Sequence, residues 1–222
     1  MVEFSANIAN LGKYNAGVLA DTELSFPTTT GQVQEALRKI GVDGLRYEEI
    51  IVLEYSIGVK GVARALGEYT HIDELNYLAS RLEDLDPEDM GKFIAAVEHG
   101  EYAGSAEQLI NLTYNLDRYE LYPVQNAEEY GLWLVDALSA MELPEKARDF
   151  FDFEAYGEAT AINEGGAFTS RGYMLAGPDP FQKVYDGQHV PEQYQVFQYP
   201  IQQKITVPRS HRNRDSPKRK RP

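Results

Sequence analysis

The stretch Glu49-Ile-Ile-Val-Leu-Glu-Tyr55, set against Ile72, Leu75, Leu78, Ala79, Leu82 and Leu85 further on, decides the fold class, because the apolar period changes between the two. The first is a β-branched apolar run that suits a pleated, buried surface and predicts a strand. The second repeats at three and four residues and predicts an amphipathic helix. Upstream, Phe4 to Ala9 and Val18 to Phe26 read as two more strands, joined through a turn at Asn15 and Gly17. Between strands two and three, Thr29 and Gln32 have capping-box spacing, Val33, Ala36, Leu37 and Ile40 share one face, and Gly41 stands where a helix would end.

Downstream the helical period continues. Asp86 precedes Pro87, the pairing expected of an N-cap followed by the first helical residue, and Met90, Phe93, Ile94 and Val97 form one face. Ser105 and Gln108 open a further helix with capping-box spacing. A fourth, from about Asn126, carries Tyr130, Trp133, Leu134, Ala137, Leu138 and Met141 at the strongest helical period in the chain. Pro144 restarts the chain into Glu145 to Phe151, and Glu164 to Ser170 offers a turn followed by a strand. The expectation is an elongated α+β protein of small units in series. Residues 1–66 form a three-stranded α+β domain, 67–116 an acidic helical domain and 117–176 a second α+β domain, followed by 177–222 as a basic Pro/Gln-rich tail.

Composition narrows function. The chain has 222 residues, 35 acids against 21 bases and no cysteine, which excludes disulfides, Cys-ligated metals and thiol catalysis. No signal-peptide pattern or membrane-length apolar run occurs, so the chain reads as soluble, cytoplasmic and not exported, with no membrane partner. The charge is unevenly spread: residues 1–176 hold 31 acids and 12 bases, whereas 177–222 hold 4 acids and 9 bases, with seven of the eleven prolines. That composition favours extended, mobile chain. The apolar islands Tyr194 to Tyr199 and Ile201 to Val207 alternate like strands and leave docking on the body as the alternative. The basic end allows self-association with the acidic body, nucleic-acid contact or a passive solvated end. Repulsion of DNA by the body argues against the second and against direct DNA binding by the body.

Residues 83–154 contain 18 acids and 4 bases, about one acid per helical turn. One charge about every 6 Å along a helix face, on two such faces, comes within about a factor of two of the charge density of duplex DNA. The candidate surface begins with Glu83, Asp84, Asp86, Glu88 and Asp89, continues through Glu98, Glu101, Glu107, Asp117 and Glu120, and ends with Glu128, Glu129 and Asp136. For each, an ordinary solvated acid is the alternative.

Catalytic patterns fail. His71, His99, His189 and His211 are scattered, with no H-E-x-x-H frame, and Asp84 to Ala95 misplaces the glycine and the last ligand of a calcium loop. There is no phosphate loop, dinucleotide fingerprint or nucleophile elbow, and pairs such as Asp152 and Glu154 are expected by chance among so many acids. No enzyme, cofactor or metal is expected.

Three strings carry a resemblance. Ala6-Asn-Ile-Ala-Asn-Leu-Gly-Lys-Tyr-Asn-Ala-Gly17 resembles the opening strand and Y-N-A-G signature of the ArdA antirestriction family. Tyr130-Gly-Leu-Trp-Leu-Val-Asp-Ala-Leu-Ser-Ala-Met-Glu-Leu-Pro144 is similar to its antirestriction motif, and Phe150-Phe-Asp-Phe-Glu-Ala-Tyr-Gly157 to its Y-F-D-Y-E-A-Y-G block, with Phe150 and Phe153 as aromatic variants. The resemblance covers roughly residues 4–176 and leaves the basic tail outside. It implies a protein of mobile genetic elements, an elongated homodimeric DNA mimic that occupies the DNA-binding groove of type I restriction-modification enzymes. It also implies that Tyr130, Trp133, Leu134, Ala137, Leu138 and Met141 lie at or near the dimer interface; an ordinary core helix is the other reading of that stripe. An acidic adaptor for a different basic DNA-binding protein is the alternative function.

Overall fold

A computed structural model describes residues 2–201. The chain opens with β1 (Phe4–Asn10), a short α1 (Leu11–Asn15) and β2 (Asp21–Ser25), followed by α2 (Thr30–Ile40) and β3 (Ile50–Ile57). These strands form an antiparallel sheet in the order β2-β1-β3, with α2 across one face. The capping box of α2 is present: the Thr29 hydroxyl accepts from Gln32 N, the Gln32 side chain accepts from Thr29 N, and Gly41 takes the left-handed conformation at φ 79°. Val33, Ala36, Leu37 and Ile40 are buried as their spacing requires.

After α3 (Val62–Ala65) come α4 (Ile72–Asp84), α5 (Pro87–His99) and α6 (Ala106–Leu112). Ile72, Leu75, Leu78, Ala79 and Leu82 of α4 are buried, with Leu85 half-buried just beyond. On α5, Phe93 and Val97 are buried, and Met90 and Ile94 pack against them half-buried. On α6 the predicted box is half formed, because Ser105 Oγ accepts from Gln108 N but Gln108 Oε1 turns to Gly104 N instead. One continuous apolar cluster runs from Phe4 in β1 through these helices to Tyr119.

The remainder is β4 (Tyr119–Tyr122), α7 (Ala127–Asp136), α8 (Glu145–Arg148), α9 (Phe153–Glu164), β5 (Ala167–Thr169) and β6 (Gly172–Ala176). The second sheet is antiparallel in the order β4-β6-β5. A separate core of Val124, Tyr130, Leu134, Ala161 and Tyr173 lies under it. Helix α7 starts where predicted, with Asn126 accepting from Glu129 N, but it ends at Asp136, well short of Met141. Ser139 then takes a positive φ of 51°, a conformation that interrupts a helix. Helix α9 was not expected from periodicity: its buried residues are only Gly157 and Ala161, so no apolar stripe announces it.

Residues 177–201 make up the first part of the segment expected as a tail. Residues 177–201 lie on the helices as an irregular strap, not as strands, and buried amides hold them. Asn111 Oδ1 accepts from Val184 N and Tyr185 N at 2.8 Å, while its Nδ2 donates to Tyr185 O at 2.9 Å. Asn115 does the same for both backbone groups of Gln182. Asn76 donates to Tyr194 O, and Asp73 accepts from Val196 N and Phe197 N. Tyr77 stacks on Tyr194 at 4.3 Å, and Tyr102 on Phe181 at 3.6 Å. Proline-rich chain can make few backbone bonds with itself, so side chains from elsewhere satisfy it. The expectations for residues 202–222, including Ile201 to Val207 as a strand beyond its first residue, lie outside the described residues.

Candidate acidic interface

The acids around the α4–α5 junction are built by helix-end chemistry. Asp86 caps α5, its carboxylate accepting from Glu88 N and Asp89 N at 2.9 Å each, and Glu88 and Asp89 fill the first turn, where the exposed amides favour negative charge. Partial loss of solvent holds the half-exposed Asp89 carboxyl above the usual carboxylate range, and the neighbouring charges of Asp86, Asp117 and Glu88 add to this against Lys92. The fold therefore brings Asp117 into the same field as the α5 start. Glu83 and Asp84, both exposed, sit at the end of α4 just before it.

Several predicted acids already have partners. Arg81 faces Asp84 at 3.8 Å, Lys92 faces Glu88 at 3.0 Å and Lys183 faces Glu107 at 2.7 Å. Arg148 grips Asp136 with two bonds of 2.7 and 2.6 Å, which holds that carboxyl below its ordinary range. Glu101 accepts from the Tyr119 hydroxyl, Glu120 from that of Tyr122, and Glu129 accepts from Gln125 N and Asn126 Nδ2. Among the described residues, Glu83, Asp89, Asp117 and Glu128 have neither an ion pair nor a bond accepted by the carboxylate. None of the predicted acids is buried.

Glu98, at the far end of α5, is set apart. Its carboxylate accepts from Ser170 Oγ at 2.6 Å and Ser170 N at 2.8 Å, and these bonds, with Lys60 and Arg171 nearby, keep it below the ordinary glutamate range. It borders a cavity of about 490 Å³ that Lys60 and Arg64 also line. Here the acid fastens the β5–β6 turn to the helical unit, in a locally basic setting.

The charge argument over residues 83–154 missed the acids of the first sheet. Asp21, Glu23 and Glu54 stand together with Ser5, Asn7 and Ser56 on the sheet face away from α2. Ser5 Oγ donates to Glu23 at 2.6 Å and Asn7 to Asp21 at 3.0 Å. The signal was present in Asp21-Thr-Glu-Leu-Ser25, whose alternate positions are acidic and exposed, then apolar or small and buried.

The predicted interface stripe is divided by the end of α7. Tyr130 and Leu134 are buried, and Trp133 packs half-buried against Tyr122 at 4.6 Å. Ala137, Leu138 and Met141 are exposed beyond the helix end, and Phe150 and Ile162 of the same module are exposed as well. Burial and the bond to Glu164 push the Tyr130 hydroxyl well above the ordinary tyrosine range.

Among the described residues, no group of acids and histidines has the arrangement of a metal site, and no helix is long and apolar enough to cross a membrane. The comparison with curated proteins found no match. The model of the family described as antirestriction protein (ArdA) matches residues 6–175. All three quoted strings fall within the match, as do both cores apart from Phe4 at the start of β1 and Tyr185 and Val196 of the strap. Family members are inhibitors and not enzymes, in keeping with the failed catalytic patterns. With most of its length matched, the chain belongs to the ArdA family of antirestriction proteins.

Proposed function

We propose that this chain inhibits type I restriction-modification enzymes by presenting, as a homodimer, a charge pattern that stands in for the phosphates of duplex DNA. A type I enzyme holds DNA through Lys and Arg contacts that displace counterions, and carboxylates carried on fixed helices can meet the same cations. The observation that carries the reading is the α4–α5 junction. Its acids are held by caps and helix ends, and Asp89 and Asp117 share one field although they come from different segments. Such a group needs little new ordering on binding, which lowers the conformational part of the cost of association. Asp21, Glu23 and Glu54 extend the negative surface to the first sheet. The exposed apolar residues Leu138 and Met141 in the antirestriction motif, with Phe150 and Ile162 further along the chain, support the homodimer.

The test is competition. Added to a type I enzyme prebound to labelled duplex, the protein is expected to displace DNA near stoichiometric amounts, with the effect weakening between about 50 and about 200 mM salt. No displacement at large excess at either salt overturns the reading.

A further inference from the structure

A groove of about 340 Å³ opens between β3 and the start of α4, and the end of the strap closes one side of it. Its walls include Tyr69, Phe197 and Tyr199, and its rim carries Glu48, Glu49 and Glu68. Tyr69 is two-thirds exposed at 66%, and its hydroxyl is held above the ordinary range chiefly by the Glu68 charge, so the carboxylates and rings share one space. Among the described residues no ion pair engages the three glutamates. Lys13 and Arg46 lie over the Tyr47 ring, and neither lines the groove. An aromatic slot rimmed by carboxylates fits a Lys or Arg side chain, through cation–π and charge-assisted contacts together.

The described chain also stops at this groove. The Tyr199 hydroxyl of the groove wall donates to Glu48 O at 3.0 Å, and Ile201, two residues further on, is 79% exposed. Residues 202–222 carry eight bases and one acid. A segment tethered so close meets the groove at an effective concentration of about millimolar, far above that of any separate peptide. We propose that the basic segment 202–222 of the same chain seats in this groove, with Lys or Arg side chains between the rings and the three glutamates. The seat itself does not depend on the proposed function. Its consequence does: a counter-charge held on the acidic body competes with a basic partner and raises the protein needed for inhibition.

Because the chain has no cysteine, Ser210→Cys places a single spin label in full-length protein. The label is expected to broaden amide signals of residues 48–50 and 67–70. The paramagnetic rate should fall at least about threefold when E48Q, E49Q and E68Q are added, or when salt rises from about 50 to about 500 mM. Equal broadening with and without the glutamine changes, or none, overturns the proposal. So does broadening that appears only when isotope-labelled and spin-labelled copies are mixed, which assigns the groove to a second copy or to another basic peptide. Restriction inhibition by K218E/R219E/K220E/R221E, measured in parallel, is expected to need a few-fold less protein at low salt. Groove broadening without that gain keeps the seat and removes its effect on inhibition. Absence of inhibition by either protein strikes the proposed function and leaves the seat standing.

Discussion

The two apolar cores of this molecule are made in different ways. The large one, from Phe4 to Tyr119, is filled by Leu, Ile and Val side chains from elements that the apolar period and the caps define. The small one has five buried members, three of them from α7 and α9, and those helices meet backbone to backbone. A Cβ on Gly131 would overlap the Phe153 carbonyl, and one on Gly157 the Ala127 carbonyl. Rings and one acid do the rest: Tyr130 lies 4.1 Å from Tyr173, and both hydroxyls donate to Glu164. Large side chains give the first core its volume. The second gains close approach by giving up side chains, and it leaves Phe150 and Ile162 89% and 72% exposed.

The sharpest way to break this contrast is Gly157→Ala. Both helices must move for the added methyl, and overpacking of backbone against backbone is expected to destabilise the small unit by about 3 kcal/mol or more. Amide exchange in α7 and α9 should quicken while α4 and α5 keep their protection. Equal protection throughout would mean that the helices tolerate separation and that the two cores are not built differently.

Tyr130→Phe is expected to act next in size. It removes one of two hydroxyls donating to Glu164, at a cost of about 1.5–3 kcal/mol for a bond to a charged acceptor, and chemical denaturation reads it. The phenols also set an alkaline limit. Tyr173 is pushed up to about 12 and Tyr130 higher, chiefly by burial. A raised folded-state value means that the stabilisation is whole below the ordinary tyrosine value of about 10 and is lost as pH rises above it.

Glu98→Gln tests the joint between the two regions, because Glu98 on α5 holds Ser170 of the β5–β6 turn. The carboxylate is exposed, so the effect on global stability is expected to stay below about 1 kcal/mol. The local effect is readable at the Ser170 amide, whose exchange should quicken in the variant. In the wild type, the depressed carboxyl value makes the bond complete above the ordinary glutamate range and weaker as pH falls through the folded value. A Ser170 amide indifferent to both changes would leave the two regions joined by other contacts alone.

The same contrast decides what could be read from the amino acids. The first sheet, α2, α4 and α5 announce themselves because a core filled by side chains writes its period into the sequence, as Ile72 to Leu82 does, and because Asp86-Pro87 and Thr29/Gln32 mark their starts. Helix α9 was illegible because its contact face is Gly157 and Ala161, small residues that leave no stripe. Helix α7 was over-extended because Leu138 and Met141 keep the helical spacing past its end at Asp136. The strap could be read only as the docking alternative for Tyr194 to Tyr199, because its backbone partners lie far off in sequence: Asn76 and Asn111 on helices, and Asn115 in the turn after α6. For the acidic surface, local density found the α4–α5 junction. It could not tell that Arg148 would neutralise Asp136, that Glu98 would fasten a turn, or that alternate residues of β2 would add acids of their own.

A similarly small effect on folding is expected of the change that speaks to the proposed dimer. Leu138 and Ile162 are exposed by 54% and 72%, so Leu138→Asp with Ile162→Asp removes little packing within one chain and should change its stability by no more than about 1 kcal/mol. If the spare apolar surface of the small unit is what a second copy covers, the same pair of carboxylates would be desolvated at that interface and sedimentation velocity should show a monomer. Helix content and the unfolding of the large core would be unchanged. A variant that stays dimeric would show that these side chains are scattered surface residues, and a second copy would then have to meet the chain elsewhere. The small core would in that case owe its glycine contacts to compactness alone.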